Sequence, residues 1–172
     1  MDASDILPVS SEDEDEPSDH LLEPVMDPQG GDLLLGSSFD NRDLRTQHPD
    51  PIQGFRLWQA FLDNVNPLTK VIHTPSVQQS LLEAMGNLDK APKAIESLMF
   101  SIYACATYSM SNNECETAMG VNRHTALTRF QSAARLALMS AGFMRTSNIT
   151  VLQAFVLFLV ITIFLLAEIS CS

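Results

Sequence analysis

The chain has 172 residues, a formal net charge of −11, 45 % apolar residues and three cysteines. That length accommodates one domain with its own core. The cysteines are too few and too far apart for a disulfide scaffold or a four-ligand zinc site, so a reducing compartment, cytosol or nucleus, is expected.

Nearly all the negative charge belongs to residues 1–50, where fourteen Asp or Glu face only Arg42 and Arg45. The opening MDASDILPVS lacks the basic and then apolar order of a secretory signal. With Phe39 as its one aromatic residue and an acidic block from Glu12 to Glu16, this stretch repels itself. It cannot bury enough apolar surface to offset an ordering entropy of about 1–2 kcal/mol per residue. Residues 1–50 are therefore read as a disordered acidic tail, with Gly30-Gly31 adding flexibility. Ile6-Leu7, Leu21-Leu22, Leu33 to Leu35 and Phe39 are small apolar clusters among carboxylates. An acidic activation segment has that pattern, and so does a solubilising tail with no partner.

TQHPDPIQG, Thr46 to Gly54, carries two prolines and a glycine, and residues 51–54 are read as a linker. From Phe55 the pattern turns helical. Leu57, Trp58, Phe61, Leu62 and Val65 fall on one face of a 3.6-residue repeat, and Asn66-Pro67 is expected to end that helix. Thr74-Pro75 predicts the next start, Val77, Leu81, Leu82 and Met85 its apolar face, and Gly86-Asn87 its stop. A third helix is expected from Ala91-Pro92 through Met110, with Ser101, Ala104 and Ala106 small enough to admit a close neighbour. Ser111 and Glu114 have capping-box spacing for a short helix closed by Gly120. Asn122 caps a long one whose stripe is Leu127, Phe130, Ala134, Leu138 and Ala141, stopped by Gly142. Asn148 or Thr150 caps a last helix that is apolar from Val151 to Ala167 except at Gln153 and Thr162. No stretch alternates with period two, so the ordered part is expected to be an all-α, multi-helix domain.

Signals for chemistry are few. His20, His48, His73 and His124 are scattered over tail, linker, loop and helix start, outside any metal-ligand spacing. Cys105 falls on an apolar helix face and reads as a small core residue; Cys115 reads as exposed. No GxGxxG, GxxxxGK[ST] or GxSxG motif occurs. No catalytic, cofactor-binding or metal residue is therefore assigned, and an enzyme is not expected. Eight Lys or Arg against seven Asp or Glu after residue 50 give no basic patch, and Arg123, Arg129 and Arg135 are read as a solvated helix edge.

Three stretches, LWQAFLDNVNPLTKVIHTP (Leu57 to Pro75), IESLMFSIYACATYSMSNNEC (Ile95 to Cys115) and TRFQSAARLALMSAGFMRTSNITVLQAFVLFL (Thr128 to Leu159), resemble the middle regulatory domain of fungal zinc binuclear cluster transcription factors. The features that carry the resemblance are Trp58, Val65-Asn66-Pro67, His73-Thr74-Pro75, Ser111 to Cys115 and Leu152-Gln153-Ala154. Residues 55–160 are thus identified as a partial copy of that domain. The resemblance implies a nuclear regulator, plausibly of secondary-metabolite genes, that works through protein partners: transcription machinery, a DNA-binding regulator or a homologous subunit. The family's six-cysteine DNA reader has no counterpart before Cys105, so no direct sequence-specific DNA binding is expected.

Residues 161–172, ITIFLLAEISCS, depart from the family pattern and read as a truncated or misread end. The alternative is a tail-anchored membrane protein held by residues 151–167. A span needs about 20 apolar residues, and this run is shorter, with Glu168 following at once and no Lys or Arg on its far side. A helix apolar all round is meant to be covered on every side, so poor solubility or oligomerisation is expected of the chain alone.

Overall fold

The computed structural model describes residues 44–170, together with all of their side chains except that of Ile169. Residues 1–43, His20 and most of the acidic tail among them, lie outside the described residues, as does Cys171. Among the described residues there is no strand, and the expected all-α class holds.

A 3-10 turn, Leu44–Gln47, leads into helix α1, Pro51–Ala60. Helix therefore occupies residues 51–54, where a linker was expected. The prolines and glycine mark a helix start instead: Asp50 Oδ1 accepts from Gln53 N at 2.9 Å, and Pro51 stands at the first helical position, where its missing N–H costs nothing. Gly54 has a tertiary reason to be glycine, since a Cβ there would lie 3.2 Å from the Tyr103 hydroxyl. Upstream, where the tail was expected to continue, His48 is already buried.

Asn66-Pro67 does not end the first helix. After α1 the chain widens into a π turn, Phe61–Val65, and resumes as α2, Asn66–Thr69. Asn66 N–H reaches back to the Phe61 carbonyl, five residues earlier. The wide turn shifts the ladder where Pro67 could not donate and makes room for its ring. The stop comes at Lys70, in the left-handed region at φ 50°.

Helix α3, Thr74–Gly86, is capped by His73 rather than Thr74, and its inner face is Val77, Leu81, Ala84 and Met85; Leu82 is exposed. Helix α4, Lys93–Ser109, forms the axis of the fold, and every residue from Ser97 to Thr107 is buried. Such all-round burial demands neighbours on each side. These are α1 with the π turn, α6 (Arg123–Ser140) and α7 (Ile149–Ser170), with Ser101, Ala104 and Ala106 allowing the close approach their size predicts. Buried hydroxyls are satisfied along the helix itself: Ser97 Oγ donates to Ala94 O at 2.8 Å and Ser101 Oγ to Ser97 O at 2.9 Å.

The local stops and starts read from sequence hold. Short helix α5, Asn112–Met119, opens with the Ser111–Glu114 capping box and closes at Gly120, φ 73°. Asn122 Oδ1 accepts from Thr125 N at 2.8 Å to open α6, and Gly142, φ 66°, closes it. Asn148 Oδ1, not Thr150, accepts at the entry to α7. The core runs through all these helices, with Trp58 stacked on Phe61 at 5.9 Å and Tyr103 tilted against Phe130 at 5.5 Å.

Candidate interaction surface

Helix α7 has one face inside the fold and one outside it. Val151, Ala154, Leu157, Phe158 and Ile161 are buried against the body, so packing continues past Val160 into the part of the run that departs from the family pattern. Ile149, Leu152, Val156, Leu159, Ile163 and Leu166 are exposed. By length and composition, Ile149–Glu168 could cross a membrane. The covering expected for an all-round apolar helix is thus supplied on one side only.

Two polar devices pin this helix. Gln153 Nε2 donates to Val71 O at 2.9 Å, near its start. Near its end, the Tyr108 hydroxyl on α4 donates to Glu168 Oε1 at 2.8 Å, and the Tyr108 ring stacks on Phe164 at 5.9 Å. Partial desolvation, and then that hydrogen bond, raise the Tyr108 pKa above the usual phenol value. Arg123 holds the same tyrosine, with its guanidinium 5.0 Å from the ring centroid and Nη2 donating to Tyr108 O at 2.8 Å. A groove of about 380 Å³ runs beside α7, lined chiefly by Val65, Leu68, Tyr108, Val160 and Phe164. Its surface is apolar, suited to a side chain from a protein partner rather than to a charged ligand.

Cys105 also touches this groove, but it is buried and its thiol donates to Leu157 O at 3.6 Å. Burial pushes its pKa up to about 12, so the nucleophilic thiolate is suppressed and the core reading holds. Cys115 corrects the sequence reading: it is fully buried, its Sγ lying 3.9 Å from Thr107 O, because α5 turns that face toward α4. Amphipathic spacing within eight residues is too short to signal this.

The arginines correct another. Arg123 and Arg129 are not a solvated edge. Arg129 Nη2 donates to the carbonyls of His48, at 3.1 Å, and Thr46, at 3.3 Å, tying the segment before α1 to α6. Arg135 is partly buried, which lowers its pKa. These cations hold the fold together.

The histidines stay apart. His48 packs 4.2 Å from the Phe100 ring centroid with Nε2 3.4 Å from Glu96 Oε1, and His73 Nδ1 lies 2.7 Å from Ser76 Oγ. His124 lines an open depression of about 540 Å³ with Gln47, Thr125, Thr128 and Arg129, where no acid or thiol joins it. Among the described residues no group of three or more His, Cys, Asp or Glu could hold a metal ion.

No family model and no solved structure matches the chain. Curated fungal proteins do. The Pyriculol/pyriculariol biosynthesis cluster transcription factor 1 of Pyricularia oryzae is 41 % identical over 150 residues, 86 % of this chain and 20 % of that protein. The Aurofusarin cluster transcription factor aurR2 of Gibberella zeae is 39 % identical over 116 residues, 67 % of this chain and 17 % of that protein. The C6 finger domain transcription factor adaR of Aspergillus niger is 33 % identical over 132 residues, 74 % of this chain and 17 % of that protein. The chain thus spans about a fifth of the length of the curated relatives it matches. Over most of its own length, it is a homologue of fungal pathway-specific transcription factors of the zinc binuclear cluster family.

Proposed function

We propose that this chain is a helical regulatory module that works in the nucleus, through contacts with other proteins, in controlling genes of a secondary-metabolite pathway. The observation that carries the reading is the similarity of most of the chain to the pyriculol and aurofusarin cluster factors. The surface chemistry supports it. The cations that could have read phosphate are engaged with backbone carbonyls, at Arg123 and Arg129, while the largest exposed feature is an apolar helix face, the kind of surface that binds protein.

Anchoring α7 in a bilayer fits less well. Lipid would solvate its apolar side chains as well as the protein does, but α4 would lose its cover, and residues such as Ala104 and Ala106 would open to water. Deleting the coding sequence and counting transcripts of neighbouring biosynthetic genes tests the proposal. A fall in those transcripts, with the tagged chain in the nucleus, is expected; unchanged transcripts contradict it.

A further inference from the structure

The exposed face of α7 has a register. Ile149, Leu152, Val156, Leu159, Ile163 and Leu166 recur at steps of three and four, the a and d positions of a heptad. The a positions are Ile149, Val156 and Ile163, all β-branched; the d positions are Leu152, Leu159 and Leu166, all leucine. That distribution favours a parallel two-stranded coiled coil over trimers or tetramers. All six are exposed, from 39 % at Leu152 and Leu159 to 67 % at Ile149.

The opposite face of the helix carries the intramolecular packing. Val151, Ala154, Leu157, Phe158 and Ile161 take heptad positions b, c and f, so the body of the domain lies behind the seam and leaves it clear. We propose that α7 joins two copies of this chain in a parallel homodimer through these six residues.

Three further observations choose a second copy as the occupant. The flanking e and g positions Gln153, Phe155, Val160, Thr162 and Ala167 are uncharged, so identical helices meet without repulsion and no charge pattern selects a different partner. The seam covers only about two and a half heptads, too short for an isolated coiled coil, but packing on α4 has already formed the helix and removed the cost of nucleating it. Closing the six side chains of each copy would bury on the order of 1,000 Å² in all, the lower bound for a specific interface. The inference is independent of the proposed function, since it rests on register alone.

Sedimentation of the native chain in the low micromolar range, with no membrane or detergent, tests it. A dimer is expected. Leu159→Lys and Val156→Lys place like charges across the seam and are expected to yield monomers that keep the helical circular dichroism, because neither residue belongs to the core. Leu68→Lys, at an exposed apolar residue outside the seam, should leave the dimer intact. Orientation is read in a Cys171→Ser chain: Leu152→Cys should cross-link to its own copy on oxidation, since a parallel pairing sets residue 152 against residue 152. A monomeric native chain, a dimer indifferent to the seam lysines, or a chain that binds phosphatidylcholine vesicles through this face instead of pairing would overturn the proposal. So would cross-linking of Leu152→Cys only to an Ile163→Cys copy, the antiparallel arrangement.

Discussion

Leu157→Ala and Leu159→Ala make the same chemical change two residues apart on α7, and the structure assigns them different costs. Leu157 is fully buried against α4, whereas Leu159 is 39 % exposed. Truncating the first removes packed atoms and leaves a cavity, costing about 2–5 kcal/mol. Truncating the second should change stability by no more than about 0.5 kcal/mol. In a folded body of this size each kcal/mol moves the midpoint by roughly 3–5 °C, so Leu157→Ala should lower Tm by on the order of 10 °C and Leu159→Ala by about 2 °C. The comparison belongs in dilute solution, where association between copies adds nothing to stability. Thermal unfolding followed by circular dichroism reads both. Equal losses would refute the two-faced packing of α7, because a helix in lipid, or one detached from α4, would not distinguish the positions.

Other expectations follow from the polar contacts and from the tail. Arg129→Met should destabilise by about 1–3 kcal/mol, since it leaves the His48 and Thr46 carbonyls without their donor; a loss below about 0.5 kcal/mol in a urea titration would restore the solvated-edge reading. Ser111→Ala should cost about 1 kcal/mol by uncapping α5, measured in the same titration. The Glu114 carboxyl is held below its usual range by the Ser111 N–H and then by the Ser111 hydroxyl. Its folded pKa being depressed, its contribution is present above the unfolded value and is lost as pH falls through the folded one; the urea midpoint of the native chain should therefore drop in acid more than that of Glu114→Gln. Cys105, with its pKa near 12, should resist thiol reagents at neutral pH until the chain unfolds, and rapid labelling of the native protein would contradict its burial. Residues 1–50 fused to an unrelated DNA-binding domain should switch on a reporter if the acidic stretch activates transcription, and a silent reporter would remove that role.

Local chemistry was the legible part of this fold. The Ser111–Glu114 box, the Asn122 cap and the stops at Gly120 and Gly142 each depend on residues within one turn of one another, so their signals survive in a single sequence. Where tertiary contact or backbone register decides, the same residue types mislead. Gly54 resembles a linker glycine until Tyr103 is seen packed where its side chain would be, and Pro67 resembles a stop until the π turn before it gives the ring room. Cys115 and the α6 arginines carry no mark of what they touch, because their partners lie on other helices. The interaction face was hidden for a different reason. In a helix apolar at almost every position, periodicity cannot separate the covered side from the open one, and the seam emerges only once the body has claimed residues such as Leu157 and Ile161.

Alkaline carbonate extraction of cells making the native chain addresses most directly whether α7 belongs to a protein interior. With its inner face packed on α4 the chain should come off into the supernatant, together with soluble nuclear proteins. Retention in the pellet, with residues 149–168 shielded from protease by the bilayer, would contradict the account at its root.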